Sequence, residues 1–438
     1  MFAHYFSLGL RTLRRNPMLT ALMVLTLAMG VAASVSTLTI LHVMSGDPIP
    51  HKSGRLFVPL VDVGPAKSFV PGSEPDDNQS TYKDAMNFLA SGQGQRRAAM
   101  LNVGVSIQPE RADLGLVRAQ GLAPTLDFFA MFETPFQHGG PWSPEADAGG
   151  VDVVVLSRAL SEKLYGQENP VGKRVRMFDS DFQVVGVTQP WRPLPHYYRM
   201  VNGNGGAFGE EDGFFIPFRT AIRHELRNNG NTSCSAQFPP GYQGFLDSEC
   251  TWLQFWFETG SSLERGRLLD YLNGYVAEQR KLGRMQRPGK AQLFNVMEWM
   301  DYLHAVGNDS KLSAWLAFGF LALCLVNTVG LLLAKFSTRA AEVGIRRALG
   351  ASRGDIFRQF LVETSVVGVV GGVLGLVLSF GGLWLIGLQS KELAAVAHMD
   401  WVMLGVTFVL SVSAALLAGL FPTWRACQVT PAIQLKSQ

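Results

Sequence analysis

Four segments of the chain, Met18–Val43, Leu312–Ala334, Val366–Leu388 and Trp401–Phe421, contain no Lys, Arg, Asp or Glu. Each is long enough to cross a hydrocarbon core, which takes roughly 20 apolar residues. With 17% charged residues over 438 positions, the rest of the chain is too polar to lie in a bilayer. The first segment has 26 uncharged residues. That exceeds the roughly 7–15 of a signal-peptide core, and no small-x-small cleavage site follows, so it reads as an anchor. The expected fold class is an α-helical membrane protein with four transmembrane helices. A large mixed α+β domain is inserted between the first and second of them.

Charge sets the expected orientation. Segment 1–17 carries Arg11, Arg14 and Arg15 without an acid, and the tail 422–438 carries Arg425 and Lys436 without one. The stretch Lys335–Arg358 has six basic and two acidic residues, whereas loop 389–400 has one Lys, one Glu and one Asp. Basic loops stay inside, which places both termini and the 335–360 segment in the cytoplasm. Residues 44–311 then lie outside, with 26 basic against 30 acidic residues. The expected organisation is a cytoplasmic amphipathic helix at 1–17, then spans at 18–43, 312–334, 361–388 and 401–421. An extracytoplasmic domain fills 44–311, and a short outer loop joins the last two spans.

The outer domain reads as mixed α and β. Thr81–Ala90 is a short amphipathic helix with Ala85, Met86 and Leu89 on one side. Val151–Leu156 is a β-branched strand, and Ser157 caps a helix to Tyr165. Lys173–Met177 and Phe182–Val187 are strands around a turn at Asp179–Asp181. Phe214–Phe218 and Trp252–Glu258 are further strands, and Leu263–Gln279 repeats apolar residues at helical spacing. The order suggests an outer piece at 120–220 inserted into a membrane-proximal piece of 46–119 and 221–305. Cys234 and Cys250, exported and 16 residues apart, are a candidate disulfide. Cys324 and Cys427 read as ordinary thiols.

Enzyme chemistry is not written here, and no cofactor or metal is called for. The nearest approach to a phosphate loop runs from Gly166 to Gly172-Lys173-Arg174. It has one residue too many between the glycines and Arg where Ser or Thr should bind magnesium. No His-Glu-x-x-His or Gly-x-Ser-x-Gly occurs, and no His stands at ligand spacing near the cysteines. Charged groups that would mark an ion path are missing from the uncharged spans. Glu363 comes closest, at the cytoplasmic mouth of the third span, where a salt bridge to a neighbouring Arg suits it better than proton transport. Gly368/Gly372 and Gly371/Gly375 form overlapping small-xxx-small pairs, which serve intrachain packing or dimerisation. Asn327 is placed to hydrogen-bond across helices.

The basic stretch between the second and third spans reads as a helix of its own. Glu342 and Arg346 stand in the favourable i,i+4 order. Gly350 follows Leu349 where a left-handed cap is needed, and Ser352 with Asp355 forms a capping box. The next helix, with Ile356, Phe357, Phe360 and Leu361 on its apolar side, runs straight into the third span. A stiff basic amphipathic element of this kind suits docking in the cytosol, or it only sets topology.

One span, a large outer domain and three spans resemble the MacB/FtsX-type permeases of ABC transporters over nearly the whole chain. The motifs that carry the resemblance are Glu342-Val-Gly-Ile-Arg-Arg-Ala-Leu-Gly-Ala351, Ile356–Glu363 and the Gly371-Gly372-x-x-Gly375 span. Leu10–Pro17, Pro422–Ile433, Leu122–Phe129, Val153–Tyr165, Val171-Gly172 and Val184–Val187 add to it. The resemblance implies that Glu342–Ser352 docks on a separate ABC ATPase subunit. Ile345 and Leu349 would insert into its cleft and Arg346 and Arg347 pair with its rim, while Gly344 and Gly350 allow close approach or a cap. It further implies a non-enzymatic permease that transmits ATP-driven motion to its periplasmic domain. Implied partners are a second permease chain, identical or sister, membrane lipids, a periplasmic adaptor and an outer-membrane channel, with no nucleic acid. Efflux or export is the leading function, with lipoprotein extraction or control of a cell-wall hydrolase as rivals.

Overall fold

A computed structural model describes residues 17–71, 75, 78–109, 114–201, 206–389, 394, 397 and 401–427. The N-terminal helix expected over 1–17 therefore lies outside the described residues apart from Pro17, as do most of loop 389–400 and the tail beyond Cys427. The chain forms two compact units, Gly46–Ala305 and the sequence on either side of it. Helix α1, Pro17–Ser45, opens the second of these.

The middle unit is a mixed sheet with helices. Its elements run β1 (Leu56–Leu60), β2 (Ser80–Thr81), α2 (Tyr82–Ala90), β3 (Arg96–Ile107), β4 (Val117–Pro124), β5 (Phe136–Gly139) and β6 (Val153–Leu156). They continue with α3 (Arg158–Tyr165), β7 (Arg174–Met177), β8 (Ser180–Thr188), β9 (Phe214–Phe215), β10 (Thr251–Glu258), α4 (Arg265–Lys281), β11 (Gln292–Asn295) and α5 (Val296–Tyr302). The strand order is β11-β1-β10-β3-β4-β9-β6-β8-β5, with β2 on β10 and β7 on β8. β3 is long enough to serve two partners. Its start pairs with β10, Arg96 opposite Glu258, and the stretch from Met100 to Ile107 pairs with β4.

Both faces are buried in the middle of the sheet, where period-two alternation in wholly apolar strands such as β1 and β6 sends neighbouring side chains to opposite cores. Val154, Leu156, Phe214, Phe255 and Phe257 point into one core, covered by Ala85 and Phe88 of α2, Leu160 and Leu164 of α3, and Leu268 and Leu272 of α4. Val153, Val155, Phe215 and Trp256 point into the other, where Phe128, Phe132, Tyr197 and Tyr198 pack with Val296 and Trp299 of α5. The expected division at 120 and 220 falls inside β4 and inside the short helix Phe218–Arg223. Both cores draw residues from either side of it, Phe57 and Phe182 in one and Leu56 and Val153 in the other.

Local differences from the sequence reading have local causes. α2 buries Ala85 and Phe88, while Met86 and Leu89 are only half-buried at its margin. Asp84 is buried too, because Tyr275 donates to it at 2.6 Å and Arg284 pairs with it at 3.0 Å. The hairpin between β7 and β8 turns on Phe178 and Asp179, both at positive φ (49° and 59°), rather than on Asp179–Asp181. Two such residues are what a tight two-residue turn requires. The strand expected at Phe214–Phe218 is cut to Phe214–Phe215, and the short helix Phe218–Arg223 begins after Pro217. Cys234 and Cys250 are bonded, beside a Ser233–Thr251 backbone bridge.

The helical unit adds α6 (Asn308–Ser337), α7 (Ala340–Ala348), α8 (Arg353–Gly387) and α9 (Trp401–Cys427) to α1. Among the described residues, α1, α6, α8 and α9 are the helices long and apolar enough to cross a membrane. Four glycines of α8, Gly368, Gly371, Gly372 and Gly375, pack within the chain and serve two different neighbours. A side chain at Gly368 would overlap Ala415 of α9, and one at Gly372 would lie 2.7 Å from Ser411. On the adjacent face, Gly371 and Gly375 admit Leu27 and Val31 of α1. Asn327 is exposed, and the polar contact across helices falls to its neighbour Thr328, whose hydroxyl is 3.5 Å from that of Thr26.

Candidate functional site

The junction of α6, α7 and α8 is built from capping signals and one buried carboxylate. α7 ends at Ala348 with Leu349 as its C-terminal cap, and Gly350 takes φ +99°, a backbone conformation that glycine adopts without steric cost. Ser352 then caps α8. Its hydroxyl accepts from the Asp355 amide at 3.1 Å, and the Asp355 carboxylate accepts from the Ser352 amide. The Ser352 hydroxyl also donates to the Asp355 carboxylate at 2.6 Å, and this bond first, then the one from the Ser352 amide, holds the Asp355 carboxyl below its ordinary pKa. Each helix end is thus fixed by residues next to it in sequence, so the turn has one geometry.

Glu363 of α8 is 2% exposed. Lys335, from the last turn of α6, reaches it at 2.7 Å, and Arg339, which precedes α7, donates to both its oxygens at 3.1 and 3.2 Å. A carboxylate so buried is tolerable only when paired, and removing one partner from such a cluster typically costs about 3–5 kcal/mol. Glu363 therefore fastens the end of α6, the start of α7 and the body of α8 to one point. Apolar packing follows the same path: Leu332 and Phe336, Val343, Ile356 and Phe360 cluster with Met23 and Val24 of α1.

The residues expected to dock a partner separate into two sets. Val343 and Gly344 face inward, and Arg346 is held within the chain by Glu342 at 2.6 Å and Gln359 at 2.8 Å. Ile345 and Leu349 are left 60% and 83% exposed on one face, four residues apart. Gly350 has open space around it and makes the left-handed turn after the cap. The salt bridge expected between Glu363 and a neighbouring Arg is made by Arg339, whereas Lys335 and Gln359 are partners the sequence reading does not name. The i,i+4 spacing of Lys335 and Arg339 beside a span was the available signal.

The other candidates are structural. Gly166 ends α3, and Lys173 pairs with Glu168, so the glycine-bounded stretch is a helix end and turn. Among the described residues no group of three His, Cys, Asp or Glu could hold a metal ion.

Comparison with known proteins gives two family matches. The MacB-like periplasmic core domain matches residues 20–243, and the FtsX-like permease C-terminal domain matches 314–431. A macrolide export ATP-binding/permease protein MacB of Bdellovibrio bacteriovorus is 25% identical over 97% of this chain and 60% of its own length. MacB of Rhodopirellula baltica is 24% identical over 96% of this chain and 60% of its own. The pyoverdine export ATP-binding/permease protein PvdT of Pseudomonas aeruginosa is 25% identical over 71% of this chain and 41% of its own. The chain thus spans about 60% of the length of the first two relatives. The crystal structure of the periplasmic region of MacB from Actinobacillus actinomycetemcomitans matches 57% of this chain and 92% of its own, at 12% identity and a TM-score of 0.34.

Proposed function

The chain belongs to the ABC transporter permeases that pair a MacB-like periplasmic core domain with an FtsX-like C-terminal domain, and from that premise we propose that it transmits ATP-driven motion outward. ATP hydrolysis is supplied from outside these 438 residues. The nucleotide-binding partner docks on Glu342–Ser352 in the cytoplasm, and the unit Gly46–Ala305 moves in the periplasm. Export with a periplasmic adaptor and an outer-membrane channel is the function this serves, in a complex with a second permease chain. The named relatives act in macrolide and pyoverdine export, which supports export over the rival readings.

The carrying observation is the α7–α8 element. It presents two apolar side chains, Ile345 and Leu349, on a helix that Arg346, Gln359 and Glu363 hold against the next. Exposed apolar anchors at i,i+4 on a fixed helix are what a cleft on a partner reads. Leu349→Glu would place an unpaired charge in that cleft. Pull-down of the ATPase from membranes holding equal amounts of each permease is expected to fall at least tenfold. Equal recovery with unchanged transport rejects the segment as the docking site.

Orientation is tested separately. A cysteine at Gly46 or Ser310 is expected to react with an impermeant thiol reagent in intact spheroplasts, and one at Ser352 is expected to stay unlabelled. The reverse pattern overturns the topology.

A further inference from the structure

α6 is the least covered of the four long apolar helices, and one exposed line along it follows a rule. Leu316, Phe320, Leu323, Asn327, Gly330 and Ala334 are all exposed, and they fall four, three, four, three and four residues apart. That is the a and d seam of a heptad repeat, the spacing by which two parallel helices interlock. Another side of α6 is used inside the chain, where Leu321 and Cys324 lie against Gly30 of α1.

Apolar members of such a line need no protein partner, since lipid covers them equally well. Asn327 is different. It stands fifteen residues from Leu312 and seven from Ala334, the ends of the uncharged run, or about 22 and 10 Å along the axis. Among the described residues nothing hydrogen-bonds its carboxamide, and the polar contact toward Thr26 belongs to Thr328. Lipid tails offer no donor or acceptor, and so short a side chain cannot reach the headgroups as a lysine stem does. The partner therefore comes from outside the chain, and it needs an acceptor for the amide NH₂ and a donor for the oxygen. The partial charges of a second Asn327 supply both. Across a two-fold axis each copy satisfies the other, and Gly330, with nothing within 4 Å of its missing side chain, leaves room for the two backbones to close.

We propose that α6 pairs in parallel with α6 of a second, identical copy of this chain along Leu316–Ala334, with the two Asn327 carboxamides bonded to each other. A single polar a position is what fixes register and helix number in such a seam. The inference rests on the reading that a second permease chain is present; it names that chain and the helix that joins it.

Two differently tagged copies of the full chain, both Cys324→Ala and Cys427→Ser, are made together, given one new cysteine each and oxidised in native membranes with copper phenanthroline. Cysteines at Leu316, Leu323 or Gly330 are expected to join the two tags. Those at Trp315 or Ala322, exposed but off the seam, are expected to give less than about a tenth of that product. With the cysteine at Leu323, Asn327→Leu should lower the yield at least about threefold, and Asn327→Gln, which keeps an amide, should hold it within about twofold. Equal linking on and off the seam, or an unchanged yield in Asn327→Leu, overturns the proposal. So does a complex in which subunit counting finds two copies but no link forms along α6, a result that leaves the second-chain reading standing. One copy per complex overturns the identical partner, and with no sister chain copurifying it overturns that reading as well.

Discussion

The two units reach close packing by opposite means. In Gly46–Ala305 the sheet is filled from one face by large rings: Phe128, Phe132, Tyr198 and Trp256 meet edge to face or tilted, with centroids 4.8 to 5.6 Å apart. In the helical unit contact depends on what is missing, because Gly368, Gly371, Gly372 and Gly375 leave room for Ala415, Leu27, Ser411 and Val31. Water drives the first arrangement, since burying aromatic area is worth more there than any other single choice. Where lipid replaces water that drive vanishes, and helices gain by bringing backbones together. The first unit should therefore be harmed most by removing atoms and the second by adding them.

The largest effect that contrast implies is Trp256→Ala. Its ring is 1% exposed and its indole donates to Tyr198 O at 3.1 Å. Loss of ring and bond should cost about 3–5 kcal/mol, read as faster proteolysis and hydrogen exchange of the middle unit alone. A change below ~1 kcal/mol would mean that the aromatic core is not what holds it.

A smaller loss follows from opening the Cys234–Cys250 link, which sits in the middle unit but acts on the unfolded chain. For a loop of about this length the bond is worth roughly 3 kcal/mol. The double Cys→Ser variant should lose midpoint in urea by that measure. Mass mapping of unreduced peptides should show the pair joined, and two free thiols would remove the term.

The smallest effect is also the sharpest, because it predicts a sign. Gly372→Ala should destabilise the helical unit by about 1–3 kcal/mol through overlap with Ser411. Gly381→Ala, nine residues along the same helix with nothing within 4 Å of its new methyl, should be neutral or stabilising by up to about 1 kcal/mol. Thermal unfolding in one detergent compares them directly, and equal shifts would dissolve the distinction between the units.

Legibility in the sequence tracked the range of the forces involved. The long helices are decided by uncharged runs, and the α7–α8 turn by Gly350, Ser352 and Asp355 within six residues, so both could be read locally. β3 could not. Its opening Arg96-Arg97-Ala-Ala-Met has no β-branched residue, and its strand state rests on β10, which approaches from far along the chain. Tyr197 and Tyr198 lie in a single 3₁₀ turn, Tyr197–Arg199, with no apolar periodicity around it, and are core through contacts with distant elements. At the candidate site Ile345 and Leu349 are named through the family resemblance, and their exposure is a property of the folded helix. The engagement of Arg346 with Gln359 was not legible either, because it needed the fold of α8 back along α7.

The length of α8 has a consequence of its own. At 1.5 Å per residue its 35 residues make a rod of about 52 Å, while a hydrocarbon core takes about 30 Å. A helix of that length crossing such a core leaves some 20 Å of continuous rod beyond it, and the charged residues of α8 all lie at the capped end beside Leu349. A rod does not absorb a push by bending at a joint it lacks. Tilting it by about 10° carries one end about 9 Å relative to the other, so a modest angular change at the Ser352 end suffices for a displacement larger than a side chain at the opposite one.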